Sequence, residues 1–458
     1  MVDVFDLSER LAQHGQEHVL ADIDNLDADR REALLARLAA IDWNELAHPA
    51  EPVSPDDVGP SRVVTLAERG ERAAELRAAG EQALADGAVA VLMVAGGQGT
   101  RLGFSGPKGC YEVGAHSGKS IYQIQAEKVL ALSRRVGKPV PFLVMTSPAT
   151  DAETRSYFSV NEHFGLADEQ VRFFSQGTVP SLADDGRALF AEAGVLLENP
   201  DGHGGCFQAL LRSGELARLR RENIRQVVYI QVDNILAPVD DPELIGLAEV
   251  EQADVVTKVL EKAHPDEKVG HLVKVAGRDR IVEYTELTPE QTRLTFDDGS
   301  LIFRWGSPAM HCWSVAFFAR LEDADFTLPL HRSSKPLKAW VDGAIQEVKG
   351  WKSERFIFDL VPEADVSLGL ELDRTIEFAP VKNAEGNDSP DTAREIASEM
   401  WAGWLRDAGV AVELGAGQLI EISPLYAATA ESFAAKWDGR TQRVSGDFYL
   451  EEDLPING

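Results

Sequence analysis

The sharpest chemical feature of the chain is AGGQGTRLGFSGPKG, residues 95–109. Gly96, Gly97, Gly99 and Gly103 let the backbone turn tightly, so that N–H groups can converge on one anion. Arg101 and Lys108 add full positive charge within the same stretch. An ordinary glycine-rich turn is the plain alternative, and the coincidence of glycines, Arg and Pro-Lys weighs against it. Two familiar phosphate loops fail on spacing. A dinucleotide fingerprint needs GxGxxG, and the run from Gly97 through Gly99 to Gly103 is one residue too long. GAHSGKS, 114–120, resembles a P-loop, but Val113 stands where its first glycine belongs; it reads as a surface turn. Asp233 closes the apolar run VVYIQVD, and α/β sheets bind ligands beyond the carboxyl ends of their strands. A capping Asp is the plain alternative there. No Ser/His/Asp or Cys/His signature is present. Cys110, Cys206 and Cys312 lie far apart with no CxxC, which argues against structural zinc.

These residues need elements to hold them. AVAVLMVAGG, beginning at Ala88, reads as a strand buried on both faces. Similar runs recur at 139–147, 171–177, 227–236 and 253–262, with helical stretches such as 120–136 and 206–222 between them. That alternation predicts an α/β domain with a Rossmann-like sheet. HLVKVAGRDRIVEYTEL and LTFDDGSLIFRW read as hairpins with GRD and DDG turns. Residues 1–86 read as a helical, acidic segment interrupted by a proline-rich break at 48–61, and 396–458 as a small C-terminal lobe. The nucleotide-handling domain is then 87–395.

With 45 Lys+Arg against 75 Asp+Glu, the 458-residue chain has a formal charge of −30. Nucleic-acid binders normally show a basic footprint, so neither nucleic acid nor an anionic membrane surface is expected as a partner. A small anion remains possible if a local cationic pocket meets it. The start, MVDVFDLSER, lacks a basic n-region and an apolar h-region. The longest apolar run falls far short of the ~20 residues a spanning helix needs. With the sparse cysteines this predicts a cytoplasmic protein; a monomer is the first expectation.

GGQGTRLGFSGPKGCYEVG followed by SIYQIQAEKV resembles the eukaryotic-type UDP-sugar pyrophosphorylases, and within them the N-acetylglucosamine branch. The resemblance continues in order through FFSQGTVP, NPDGHGGCFQAL, VYIQVDNIL, KVLEKAHPDEKVG, IVEYTEL, ERFIFDL and PVKNAEG, about residues 90–390. It implies a glycosyltransferase-A type nucleotidyltransferase fold, with a mixed sheet, and transfer of uridylate from UTP to a sugar 1-phosphate with release of pyrophosphate. N-acetylglucosamine 1-phosphate is the first-choice acceptor, with glucose or galactose 1-phosphate next. A non-catalytic nucleotide-sugar-binding protein is a third reading, and the failed glycine spacing disfavours an NAD-type oxidoreductase.

By the same resemblance, Gly96, Gly97, Gly99 and Thr100 approach the nucleotide, and Arg101, Lys108 and Lys382 act on its phosphates as catalytic cations. Lys352 reaches a phosphate, Gln176 and Gly202 recognise uracil, and Asp233 serves a Mg²⁺–nucleotide site. Gly270, Glu283 and Tyr284 contact sugar hydroxyls, and Phe356 and Phe358 form an aromatic wall. Without the resemblance, these two phenylalanines read as alternate core residues of a strand. Two positions depart from the family pattern: His203 stands in DGHGG where Asn is usual, and Ser307 stands in WGSPAMHCW where Asn is usual. Both are assigned to the sugar side, which leaves the acceptor open. His203 reads either as a neutral hydrogen-bonding substitute or as a pH-sensitive one.

Overall fold

The computed structural model describes residues 4–50, 58–439 and 441–452. The middle of the proline-rich break, 51–57, lies outside the described residues. Contacts divide the chain into two compact units: a smaller one of Met1–Val53, Gln176–Ala209 and Thr327–Leu360, and a larger one of Ser54–Ser175, Leu210–Phe326 and Val361–Gly458.

This division does not follow the segments 1–86, 87–395 and 396–458. The helices Val4–Gln13 and Ala28–Ala40 bury Leu7, Leu11, Leu34 and Leu38 against Val179, Leu182, Leu196 and Leu330, inside the smaller unit. The helix Leu66–Asp86 instead packs Ala83 and Leu84 into the core of the larger one. Both stretches show helical periodicity, and periodicity reports a buried face without naming its partner.

The larger unit is built on a twelve-stranded mixed sheet. Val171–Ser175, Phe142–Thr146, Val89–Val94 and Gln226–Gln231 lie parallel, in that spatial order. His311–Ser314 then runs antiparallel between Gln226–Gln231 and Val255–Glu261. Every residue of Val89–Val94 is buried, as a central strand covered on both faces requires. The expected α/β, Rossmann-like class holds, and the antiparallel insertion makes the sheet mixed.

Helix Ile121–Val136 follows the glycine-rich loop. It starts at Ser120, whose hydroxyl accepts from the Gln123 N–H at 3.1 Å, and stops at Gly137 with φ 70°. The stretch expected as one helix at 206–222 is two, Gly205–Arg212 and Glu215–Arg221, parted at Gly214 with φ 77°. The first hairpin forms from Gly270–Val275 and Arg278–Val282, and it turns at Ala276–Gly277, one residue before the expected GRD. In the second, only an isolated bridge joins Thr295 to Leu301. After helix Pro390–Asp407, the C-terminal strands pair in parallel, Ala411–Val412 with Arg443–Val444 and Ile420–Ile422 with Phe448–Leu450.

Helices Leu66–Asp86 and Pro242–Val250 touch backbone to backbone. A Cβ on Gly246 would lie 1.8 Å from the Leu76 carbonyl oxygen, and one on Gly80 1.9 Å from that of Pro242. No rotamer relieves a clash with backbone, so the helices would have to part. Gly246→Ala is expected to destabilise the protein by about 3 kcal/mol, at the upper end for overpacking. A denaturant midpoint equal to wild type would contradict this.

The smaller unit centres on the hairpin His331–Val341/Ala344–Glu354 within a five-stranded sheet. Its turn, Asp342–Gly343, has φ of 49° and 84°. Asp-Gly is a strong two-residue hairpin signal, readable in the sequence although the hairpin is not among the elements expected above. Among the described residues, no helix is long and apolar enough to cross a membrane.

Candidate functional site

In the larger unit the glycine-rich loop leaves the carboxyl end of Val89–Val94 and closes on itself. The Gly99 N–H donates to Gly106 O at 2.9 Å, and the Lys108 N–H donates to Gly97 O at 3.0 Å. Gly99 and Gly109 are required by close approach: their Cβ atoms would lie 2.8 Å from the Phe104 ring and 2.2 Å from the Tyr122 ring. Gly97 and Thr100 are exposed along the loop, whereas Gly96 is buried. Arg101 is exposed and has no hydrogen-bond or ion-pair partner among the described residues.

Lys108 and Asp233, far apart in sequence, meet. The Lys108 Nζ lies 3.6 Å from Asp233 Oδ2, and both side chains are less than a fifth exposed. Asp233 sits just past strand Gln226–Gln231, and its carbonyl accepts from the Val381 N–H at 2.9 Å. That bond brings Lys382 one residue away from the Asp233 backbone. Lys382 Nζ lies 3.6 Å from Asp388 Oδ2 and 5.7 Å from the centre of the Phe378 ring.

The turn after Asp233 is bracketed by residues that sequence reasoning passed over. Asn234 is buried; its Nδ2 donates to Glu377 O at 2.8 Å and its Oδ1 accepts from the Ala379 N–H at 2.9 Å. Gln125 Nε2 donates to Asn234 O at 2.8 Å, and Lys128 Nζ to Ile235 O and Ala237 O at 2.5 and 3.1 Å. Burial pushes the Lys128 ammonium down to about 7. The signal was the run SIYQIQAEKV, where Tyr122, Gln125 and Lys128 recur at helical spacing. One helix thus contacts both the glycine-rich loop and the turn behind Asp233.

The larger unit also assembles Gly270, Ser307 and Glu283. Gly270 pairs with Ser307 across two strands, and a Cβ on Gly270 would lie 3.0 Å from Glu283 Oε1. Ser307 is buried and its hydroxyl accepts from the Ala309 N–H at 3.3 Å. Tyr284 is exposed on the next turn. The P-loop look-alike is a turn with His116 and Gly118 exposed, as expected, but Lys119 at its end is not on the surface. It is buried, 2.8 Å from Glu127 Oε2 and 2.9 Å from Ser423 Oγ, and that pairing leaves it no phosphate role.

In the smaller unit, NPDGHGG folds against 354–356. Gly202 has φ 84°, and its Cβ would lie 2.6 Å from Arg355 O. Asp201 is buried, with Oδ2 3.6 Å from Arg355 Nη1. Phe356 and Phe358 are not alternate residues of a strand. The strand ends at Glu354 and a 3-10 helix, Ile357–Glu363, follows. Phe356 stacks between His203 and His331, with ring centres 5.4 and 4.4 Å away, while Phe358 is buried beside it. Gln176 is buried, and Lys352 is half-buried on Ala344–Glu354, where its side chain has no hydrogen-bond or ion-pair partner among the described residues.

His203 resolves as the neutral hydrogen bonder. Its Nδ1 accepts from the Ile357 N–H at 3.3 Å, which a protonated Nδ1 could not do. Burial, helped by His331, pushes its imidazole down to about 4. Burial and the ammonium of Lys262 do the same to His271, also to about 4. An unfolded histidine titrates near 6.5. Between those values the unfolded chain binds more protons, so stability present above pH 6.5 is lost as pH falls toward 4. The loss reaches up to about 3 kcal/mol per histidine. His203→Asn is expected to flatten part of that slope in unfolding curves taken between pH 6.5 and 4.5; an unchanged slope would contradict it.

Residues 31–386 match the model of the UTP–glucose-1-phosphate uridylyltransferase family. The chain is 34% identical to UDP-N-acetylglucosamine diphosphorylase 2 of Arabidopsis thaliana, over 96% of this chain and 90% of that one. It is 34% identical to the UDP-N-acetylglucosamine pyrophosphorylase of Saccharomyces cerevisiae, over 93% and 92%. Among solved structures, it resembles the uridine diphosphate N-acetylglucosamine pyrophosphorylase of Trypanosoma brucei in complex with inhibitor. The TM-score there is 0.78 at 28% identity, covering 99% of both chains.

Proposed function

The chain belongs to the UTP–glucose-1-phosphate uridylyltransferase family, and from that premise we propose that it joins UTP to N-acetylglucosamine 1-phosphate, forming UDP-N-acetylglucosamine and pyrophosphate. It is a nucleotidyltransferase, and the names of its relatives support this acceptor. The observation that carries the reading is the Lys108 ammonium 3.6 Å from the Asp233 carboxylate, beside a loop of converging glycines. A cation and a hard oxygen donor side by side suit a polyphosphate, whose charge must be both neutralised and oriented.

A sugar phosphate has a second pKa near ~6, so it is largely a dianion at pH 7. It attacks the α-phosphorus without a general base. A bond forms from the sugar phosphate oxygen to the α-phosphorus, the bond to the β-phosphate oxygen breaks, and pyrophosphate leaves with that electron pair. The chain's task is alignment and relief of repulsion. Lys108, Arg101 and Lys382 oppose the charge gathering on the leaving group, and the loop from Gly96 to Thr100 holds the nucleotide phosphates. Gln176, Gly202 and Lys352 are assigned to the nucleotide, and Gly270, Glu283, Tyr284, His203, Ser307, Phe356 and Phe358 to the sugar.

Asp233 fits a divalent cation: it is a hard oxygen donor, partly open to solvent. No group of three or more His, Cys, Asp or Glu ligands gathers among the described residues. Mg²⁺ held by one carboxylate with substrate phosphates completing its shell needs no such group. Bound there, it supplies further charge neutralisation.

Glucose or galactose 1-phosphate is the second reading, favoured by one observation. Ser307 is short, buried and turned to its own backbone, where the family pattern has an amide. A panel of sugar 1-phosphates with UTP and Mg²⁺, read by pyrophosphate release, tests both. N-acetylglucosamine 1-phosphate is expected to give the highest kcat/KM. Release with none of them would reject the activity.

A further inference from the structure

Behind the Asp233 turn lies a cavity of about 460 Å³, within the larger unit. Trp401, Trp404, Met400, Ile124 and Ile376 form apolar walls, and Ile235–Glu243 forms another side. None of the residues assigned to nucleotide or sugar lines it. Its size is ordinary for a small-molecule site.

The lining charges exclude an ion. Arg77 pairs with Glu243 and Glu431 at 2.7 and 2.9 Å, and Arg135 with Asp240 and Glu81 at 2.5 and 2.7 Å. Arg69 is bound to Glu243 and to Glu377. Asp241 is held by Lys258, and Glu421 accepts from the His116 and Ser117 N–H groups at 2.6 and 3.0 Å. An anion finds no free guanidinium there and a cation no free carboxylate, so either would be desolvated without compensation. Lys128 is the exception. Below pH 7, where it is charged, its ammonium carries three N–H donors, and two are spent on Ile235 O and Ala237 O; seven carboxylates line the cavity against four cations, so this one charge does not invite an anion.

We propose that this cavity is an effector site for an uncharged, flat, mainly apolar molecule with one acceptor oxygen, and that its occupant lowers turnover through the turn that carries Asp233. Rings stack on Trp401 and Trp404, and the acceptor takes the remaining Lys128 N–H. Drawing the ammonium toward the cavity weakens its bonds to Ile235 O and Ala237 O, which hold the turn. A ligand that prefers the loosened turn shifts the population toward it. The effect on turnover rests on the activity proposed above; the binding does not.

The probe is 2-acetonaphthone, with naphthalene-2-sulfonate as its charged counterpart, in equilibrium dialysis against the full chain at pH 6, where the Lys128 ammonium is protonated. The ketone is expected to bind at one site, with or without saturating UTP, and the sulfonate not to bind. Ala428→Trp, which fills the cavity, should weaken ketone binding at least ~10-fold. Ile376→Trp at the rim is the second filling variant should the first fail to fold. The ketone should lower kcat about fivefold or more, a common size for coupling between sites, with the KM for UTP unchanged. Equal binding of the sulfonate, displacement by UTP, or unchanged affinity in the filled variants would overturn the site. Ketone binding that leaves kcat untouched would overturn the effector role. A chain that releases no pyrophosphate with any sugar fails the activity instead, and dialysis still reports the cavity.

Discussion

Lys108→Ala is expected to lower kcat at least about 100-fold, the scale on which a preorganised charge contact to a transition state acts. The argument rests on how the side chain is held. The Lys108 N–H is bonded to Gly97 O, and Gly109 behind it lies against the Tyr122 ring with no room for a Cβ. The backbone therefore cannot drift, and the ammonium stays about where the structure has it. It is 17% exposed, so water screens it less than it would a surface lysine. Removing it costs most where charge is greatest, on the departing pyrophosphate, so the loss should fall on kcat more than on the KM for UTP. Lys108→Arg keeps the charge but brings a larger planar group, and is expected to recover only part of the rate. Thermal unfolding should barely move, because a partly solvated ion pair adds ~1 kcal/mol or less. Near wild-type turnover in Lys108→Ala would show that the loop does not hold the reacting phosphates.

The second large effect belongs to Asp233. Asp233→Asn keeps the shape of the side chain and the backbone bond from the Val381 N–H, and removes only the negative charge. It is expected to lower kcat at least about 100-fold at fixed Mg²⁺ and to raise the Mg²⁺ concentration needed for half-maximal rate. Asp233→Ala should do the same with no larger loss of stability. Full activity of Asp233→Asn with an unchanged Mg²⁺ requirement would remove the carboxylate from the reaction. The two substitutions share one ion pair, so their effects are not expected to add.

Much of the larger unit was legible in advance. Buried strands announce themselves as apolar-rich runs, unbroken in Val89–Val94 and interrupted by Arg172 in Val171–Ser175 and by Thr257 and Lys258 in Val255–Glu261, and these three with Phe142–Thr146 all fall inside stretches expected as strands. Glycines that turn a loop announce themselves by type and spacing, which is why 95–109 was readable as a phosphate cradle. The brackets behind Asp233 were less legible. Gln125, Lys128 and Asn234 are common polar residues, and what singles them out is a backbone carbonyl more than a hundred positions away for the first two. His203 illustrates the same limit. Its type left open a pH switch or a neutral bonder, and the choice came from burial and from the N–H of Ile357.

By itself the sequence determined the sheet-forming runs, the glycine-rich loop, the stock of cations and the family pattern. All of these depend on residue type at short range, where sterics and hydrophobic period act directly. Only the tertiary structure decided that Lys108 meets Asp233, that Lys119 is spent on Glu127, and that the helices before and after position 54 serve different units. It also decided that the lining charges of the cavity behind Asp233 are almost wholly paired among themselves. Pairing of charges and sharing of a core are long-range outcomes of packing, and they depend on which surfaces the whole chain brings together rather than on local composition.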